Sequence, residues 1–74
     1  MASKAQHVVP RQKGWSVRRS GAARASSNHS TQAEAIAAGT RIAQNNKTEL
    51  YIHGSDGRIR ERHSYGADRQ APKG

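Results

Sequence analysis

Eleven large apolar or aromatic side chains are all this 74-residue chain has for building a core: Val8, Val9, Trp15, Val17, Ile36, Ile42, Leu50, Tyr51, Ile52, Ile59 and Tyr65. Chains of this size sit near the lower limit of independent stability, so a supply this thin allows one small domain and no more. A catalytic cleft needs more core than this, and no catalytic cluster is spelled out, so a non-enzymatic protein is expected. Cysteine is absent, which excludes disulfides, thiolate metal sites and cysteine nucleophiles. No apolar run approaches the ~18 residues that span a bilayer. Nor is there the apolar stretch of a secretory signal near Met1. A cytoplasmic protein with no membrane contact is therefore expected.

Punctuation along the chain predicts the elements. Residues 6–11 carry Val8-Val9 and stop at Pro10, which lacks an N–H donor; this reads as a short strand at an edge or ending there. Gln12-Lys13-Gly14 turns the chain into 14–19, where Trp15 and Val17 alternate with Ser16 and Arg18, completing a hairpin. Residues 22–29 are small and polar, readable as a weak third strand or a loop. The helix is clearest. Thr31-Gln32-Ala33-Glu34 fits a capping box, in which Thr31 accepts from the Glu34 N–H and the Glu34 carboxylate reaches back to the Thr31 N–H. Ala35, Ile36, Gly39, Ile42 and Ala43 recur at helical spacing on one face, and Asn45-Asn46 end the helix. Strands at 48–53 and 58–64 follow, joined by Gly54-Ser55-Asp56-Gly57. Residues 1–5 and 66–74 read as flexible tails around a domain of 6–65.

Register in the final hairpin sharpens this outline. With a two-residue loop at Ser55-Asp56 or Asp56-Gly57, Leu50, Ile52 and Ile59 share one face, and Tyr51, His53, Arg58, Arg60 and Arg62 the other. The apolar face must take the helix, because nothing else can cover it. Arg18 and Ser16 join the opposite face if Trp15 and Val17 meet the helix. Glu61 is the misfit on the helix side, expected at the sheet margin. The expected fold is α+β: an antiparallel sheet of four or five strands with one helix on a single face, in the order β-β-(β)-α-β-β.

Several segments match a known pattern: His7-Val8-Val9-Pro10-Arg11, Gly14-Trp15-Ser16-Val17, Ala22-Ala23-Arg24-Ala25-Ser26, Thr31-Gln32-Ala33-Glu34-Ala35-Ile36, His53-Gly54-Ser55-Asp56-Gly57-Arg58-Ile59 and Ser64-Tyr65-Gly66. On these residues, covering about 6–66, the chain resembles the DUF2188 family, small bacterial and phage domains. It departs from the pattern at Asn28 and at Gly39, where the family favours alanine. The resemblance implies a fold and brings no activity with it.

Function must then be read from charge. Thirteen Lys and Arg against five Asp and Glu leave a formal charge of +8, which attracts polyanions without sequence preference. Arginine pairs bidentately with phosphate, and an exposed tyrosine stacks on a base. The expected nucleic-acid-binding residues are Arg18, Tyr51, His53, Arg58, Arg60 and Arg62. The bland alternative is a solvated strand whose arginines discourage edge aggregation. A second function also fits: a protein-interaction module or homodimer, using an uncovered sheet or the edge strand at 6–11. No cofactor, metal or small-molecule substrate is expected. His7, His29, His53 and His63 lack zinc-site spacing, and the parity above puts His53 and His63 on opposite faces.

Overall fold

The computed structural model describes residues 5–66. The tails expected at 1–5 and 66–74 lie, apart from Ala5 and Gly66, outside the described residues. Five strands and a helix occur in order: β1 (Gln6–Arg11), β2 (Gly14–Arg19), β3 (Ser27–His29), α1 (Gln32–Asn46), β4 (Glu49–His53) and β5 (Ile59–Ser64). The α+β class expected from sequence holds. The polar stretch at 22–29 does contain a strand. Asn28 lies opposite Ser16, and the Ser16 hydroxyl donates to Asn28 Oδ1 at 2.7 Å. Side-chain hydrogen bonding supports here what apolar burial does elsewhere.

The sheet runs β3-β2-β1-β4-β5 and is mixed rather than antiparallel throughout. β1 and β4 pair in parallel, with Gln6, His7 and Val8 opposite Leu50, Tyr51 and Ile52. The reason is arithmetic. Three antiparallel strands leave β3 running in the direction of β1, and the helix then returns the chain to the end where β3 began. β4 therefore starts parallel to β1 and fits beside it. This also corrects the expected edge position of β1, which is central. Pro10 is tolerated because β4 pairs only with Gln6–Val8, so its missing donor costs no ladder bond on that side. The edges are β3 and β5.

The helix covers one side of this sheet. Thr31 caps it, accepting from the Glu34 N–H at 3.1 Å. Only half of the expected capping box forms, since the Glu34 carboxylate accepts from the Ser30 hydroxyl at 3.3 Å instead. Lys47 closes the other end in a left-handed conformation, φ 54°, its N–H directed at the carbonyls of Ala43 and Gln44. Ala35, Gly39 and Ala43 are buried on the sheet-facing side, against Val8, Val17, Leu50 and Ile52, with Trp15, Ile36, Ile42 and Tyr65 packed around the margin. Small residues let the helix come close: a Cβ on Gly39 would stand 2.9 Å from Leu50 Cδ1 and 3.2 Å from Val8 Cγ2.

The last hairpin departs from both expected registers. Gly54 N–H donates to the Arg58 carbonyl and Gly57 N–H to the Gly54 carbonyl, with Gly57 at φ 86°. This is a three-residue loop, Ser55-Asp56-Gly57, ending in a left-handed glycine. An odd loop inverts the parity of the strand after it. Ile59 therefore opposes His53 instead of joining Ile52, and it is 54% exposed. The expected place of Ile59 in the core is overturned. A bulge then absorbs one residue, so that Glu61 opposes Ile52 and Arg62 opposes Tyr51. Every residue of β5 is exposed, because the helix packs mainly on β1 to β4. Glu61 thus sits at the margin, as expected.

Replacing Gly39 with valine should cost about 1–3 kcal/mol in chemical denaturation, the usual penalty of overpacking. Unchanged stability would mean that the helix does not depend on this close approach.

Candidate anion-binding interface

Among the described residues, no element packs on the side of the sheet opposite the helix. Registers between neighbouring strands set out what that side presents. Arg18 opposes His7, His7 opposes Tyr51, and Tyr51 opposes Arg62. Four strands thus contribute one residue each to a lateral row, Arg18–His7–Tyr51–Arg62. His53 lies two residues along β4 from Tyr51 and shares its face.

Side-chain contacts organise the row from its centre. The His7 ring stacks on Tyr51, centroids 5.0 Å apart and planes 20° from parallel. The Tyr51 hydroxyl donates to Glu49 Oε1 at 2.6 Å. That hydrogen bond to a carboxylate holds the phenol above its ordinary range, while the nearby Arg62 guanidinium opposes the shift. Arg18 donates through Nη2 to the carbonyls of Ala22 and Ala23, at 2.7 and 3.3 Å, which anchors it to the loop between β2 and β3. Arg58 and Arg60 stand at the other extreme. Both are engaged by Asp56 in the turn, at 3.9 and 2.9 Å, with side chains 81% and 60% exposed. The structure therefore brings Arg18, Tyr51, His53 and Arg62 together across the sheet and leaves Arg58 and Arg60 as a separate basic turn.

His7, absent from the expected site, lies at its centre. His7 Nδ1 is 3.0 Å from His53 Nε2, His7 Nε2 is 2.8 Å from Ser20 Oγ, and His53 Nδ1 is 2.9 Å from the Gly57 carbonyl. The positions of the hydrogens are fixed by the one group that cannot donate. A carbonyl only accepts, so His53 Nδ1 carries a hydrogen. With the rings neutral, His53 Nε2 must then accept from His7 Nδ1–H, and His7 Nε2 from the Ser20 hydroxyl. Burial, and secondarily the neighbouring His53, lower the His7 pKa from its ordinary value, favouring this neutral arrangement. The other histidines stand apart. His29 meets Ser27 in β3. His63 opposes Leu50 on the far face, so His53 and His63 are on opposite faces, as the sequence parity required. No group of three or more potential metal ligands occurs among the described residues. The missed signal was parity: His7 alternates with the core residue Val8 as His53 alternates with Ile52.

A sheet of this order, with Gly14-Trp15 opening β2 and Asp56-Gly57 turning into β5, sits on a chain whose residues 6–65 match a family of proteins described as uncharacterized and conserved in bacteria. The chain belongs to the DUF2188 family. A relative in Bacillus subtilis (strain 168), the uncharacterized protein YdaT, is 37% identical over 62 residues, which make up 84% of this chain and 41% of that protein. The chain therefore spans less than half the length of this curated relative. No solved structure matches it significantly. Among the described residues no helix is long and apolar enough to cross a membrane.

The lowered His7 pKa has a sign. A histidine that binds its proton more weakly when folded adds stability above the unfolded value near 6.5, and that stability is lost as pH falls through the lower folded value. Melting temperatures measured from pH 7.5 down to 5 should fall more steeply for the natural chain than for His7→Gln. Parallel curves would show that His7 does not titrate differently on folding.

Proposed function

We propose that this DUF2188 domain is a small, cytoplasmic, non-enzymatic module that binds nucleic acid across the sheet face that its helix leaves uncovered. The observation that carries the reading is the lateral row Arg18–His7–Tyr51–Arg62, one residue from each of four strands, on a chain of formal charge +8. Strands lie ~4.8 Å apart, so Arg18 and Arg62 are separated by three such steps and reach different phosphates of one strand. Tyr51 offers one ring face to a base, because His7 covers the other. Arg58 and Arg60 extend the basic surface beyond the row. Asp56 restrains them only weakly, since exposed ion pairs contribute about 0–1 kcal/mol. Residue 53 acts here through His7, with which it is hydrogen-bonded.

A second reading has one observation in its favour. β5 is an edge strand exposed along its whole length, open to strand addition by a protein partner or a second copy of this chain. Its three charged residues, Arg60, Glu61 and Arg62, work against that pairing.

Salt separates the two. Affinity for a fluorescent random oligonucleotide should fall steeply with salt on log–log axes, and Arg60→Gln with Arg62→Gln should weaken binding, flatten that slope and leave the melting temperature nearly unchanged. A flat slope for the natural chain would favour the protein partner. Binding indifferent to both substitutions would remove this face from the site.

A further inference from the structure

Beside the histidine pair the sheet face sinks into a recess of about 560 Å³, lined by His7, Val9, Arg18, Ser20, Ala22 and His53 among others. That volume falls within the ~300–1,000 Å³ of ordinary small-molecule clefts. We propose that this recess is a phosphate-binding pocket that takes up one phosphate group and one proton together. The proposal rests on the anion-binding reading of this face and adds a specific pocket and a proton to it.

Three features converge. Arg18 is fixed through Nη2 to the Ala22 and Ala23 carbonyls, while its Nε and Nη1 make no hydrogen bond among the described residues, leaving donors for phosphate oxygens. Ser20 Oγ lies at the recess wall, 2.8 Å from His7 Nε2. With the pair neutral, the Ser20 hydrogen is committed to His7. A proton arriving from solvent at His7 Nε2 reverses that bond: His7 Nε2–H donates to Ser20 Oγ, and the hydroxyl hydrogen turns outward to the ligand. His7 Nδ1–H still donates to His53 Nε2, so the ladder to Gly57 survives. One proton thus adds a positive charge and releases a donor. A hydrogen on His53 Nε2 as well would set N–H against N–H across 3.0 Å and break this bond.

Burial, and secondarily the neighbouring His53, oppose that proton, and an arriving anion favours it. Arg18 faces His7 from β2, and Arg62 lies beyond Tyr51 on β5. The carboxylates on the neighbouring residues are Glu49, which accepts from the Tyr51 hydroxyl, and Asp56, which is paired with Arg60. Val9 and Ala22 give the recess an apolar wall on which a sugar or base can rest.

The test is an NMR titration of the histidine ring signals of the full chain with sulfate, at constant ionic strength held with chloride. Sulfate stays a dianion across the range, so any proton taken up belongs to the protein. Sulfate should move the His7 titration midpoint to higher pH, and its affinity should rise from pH 8 to pH 6 by up to tenfold per pH unit. Ser20→Ala should weaken binding severalfold and Arg18→Gln should abolish it; if Arg18→Gln fails to fold, the natural chain and Ser20→Ala decide. An unmoved His7 midpoint, or an affinity independent of pH, overturns the pocket. A short oligothymidylate with and without a 5′-phosphate separates the sources. If both move His7, a backbone phosphate occupies the pocket; if only the phosphorylated one does, a terminal phosphate does. An oligonucleotide that binds without moving His7 overturns the pocket and spares the nucleic-acid reading. Sulfate that moves His7 where no oligonucleotide binds at low salt does the reverse.

Discussion

Three residue pairs, Gln6 with Leu50, His7 with Tyr51 and Val8 with Ile52, hold the two halves of this chain together. They are the parallel seam between a three-stranded N-terminal unit and a C-terminal hairpin, and everything else is arranged around them. On the helix side the seam puts Val8 beside Ile52 at the centre of the core. On the other side it puts His7 against Tyr51 and within hydrogen-bonding distance of His53. Because side chains alternate along a strand, one register sets both faces at once. A slip of one residue along this seam would bury His7 and expose Val8.

The core that pins this register is small. Its fully buried side chains include Leu50, Val8 and Val17, and also Gln6. The side-chain amide oxygen of Gln6, Oε1, is buried with no hydrogen-bond partner among the described residues, a defect that costs ~1–3 kcal/mol. Such a domain has little stability to spare. The small residues on the helix answer this limit, since a close helix gains contact from a short list of side chains. β5 lies outside that economy. Exposed throughout, it is held by its ladder to β4 and by the ordered Gly54–Arg58 turn, and it carries charge instead of core.

Much of this could be read from residues alone. Thr31 and the alanine face located the helix, Gly14-Trp15 opened the second strand, and the alternation of Leu50 and Ile52 with Tyr51 and His53 assigned their faces correctly. What escaped was pairing across long sequence distances. β1 was expected at an edge because Pro10 lacks a donor, which is a local argument; where β4 stops pairing, at Val8, is not local. The last hairpin misled for a related reason. Gly54-Ser55-Asp56-Gly57 accommodates two-residue or three-residue loops, and the choice of three moved Ile59 out of the core and made the bulge necessary. His7 has no local partner to mark it, since its neighbours in space, Ser20 and His53, are 13 and 46 residues away.

By itself, then, the chain determined its local structure, the helix, the hairpin at 6–19 and the strand at 48–53 with their inside and outside, the excess of positive charge and the poverty of its core, because each of these depends on residues within a few positions of one another. The tertiary structure alone decided which strands lie side by side, and so which histidine meets which serine and which arginine stands in line with which tyrosine. Those outcomes depend on how the helix returns the chain to β1 and on how much apolar surface each register buries, which are properties of the whole fold.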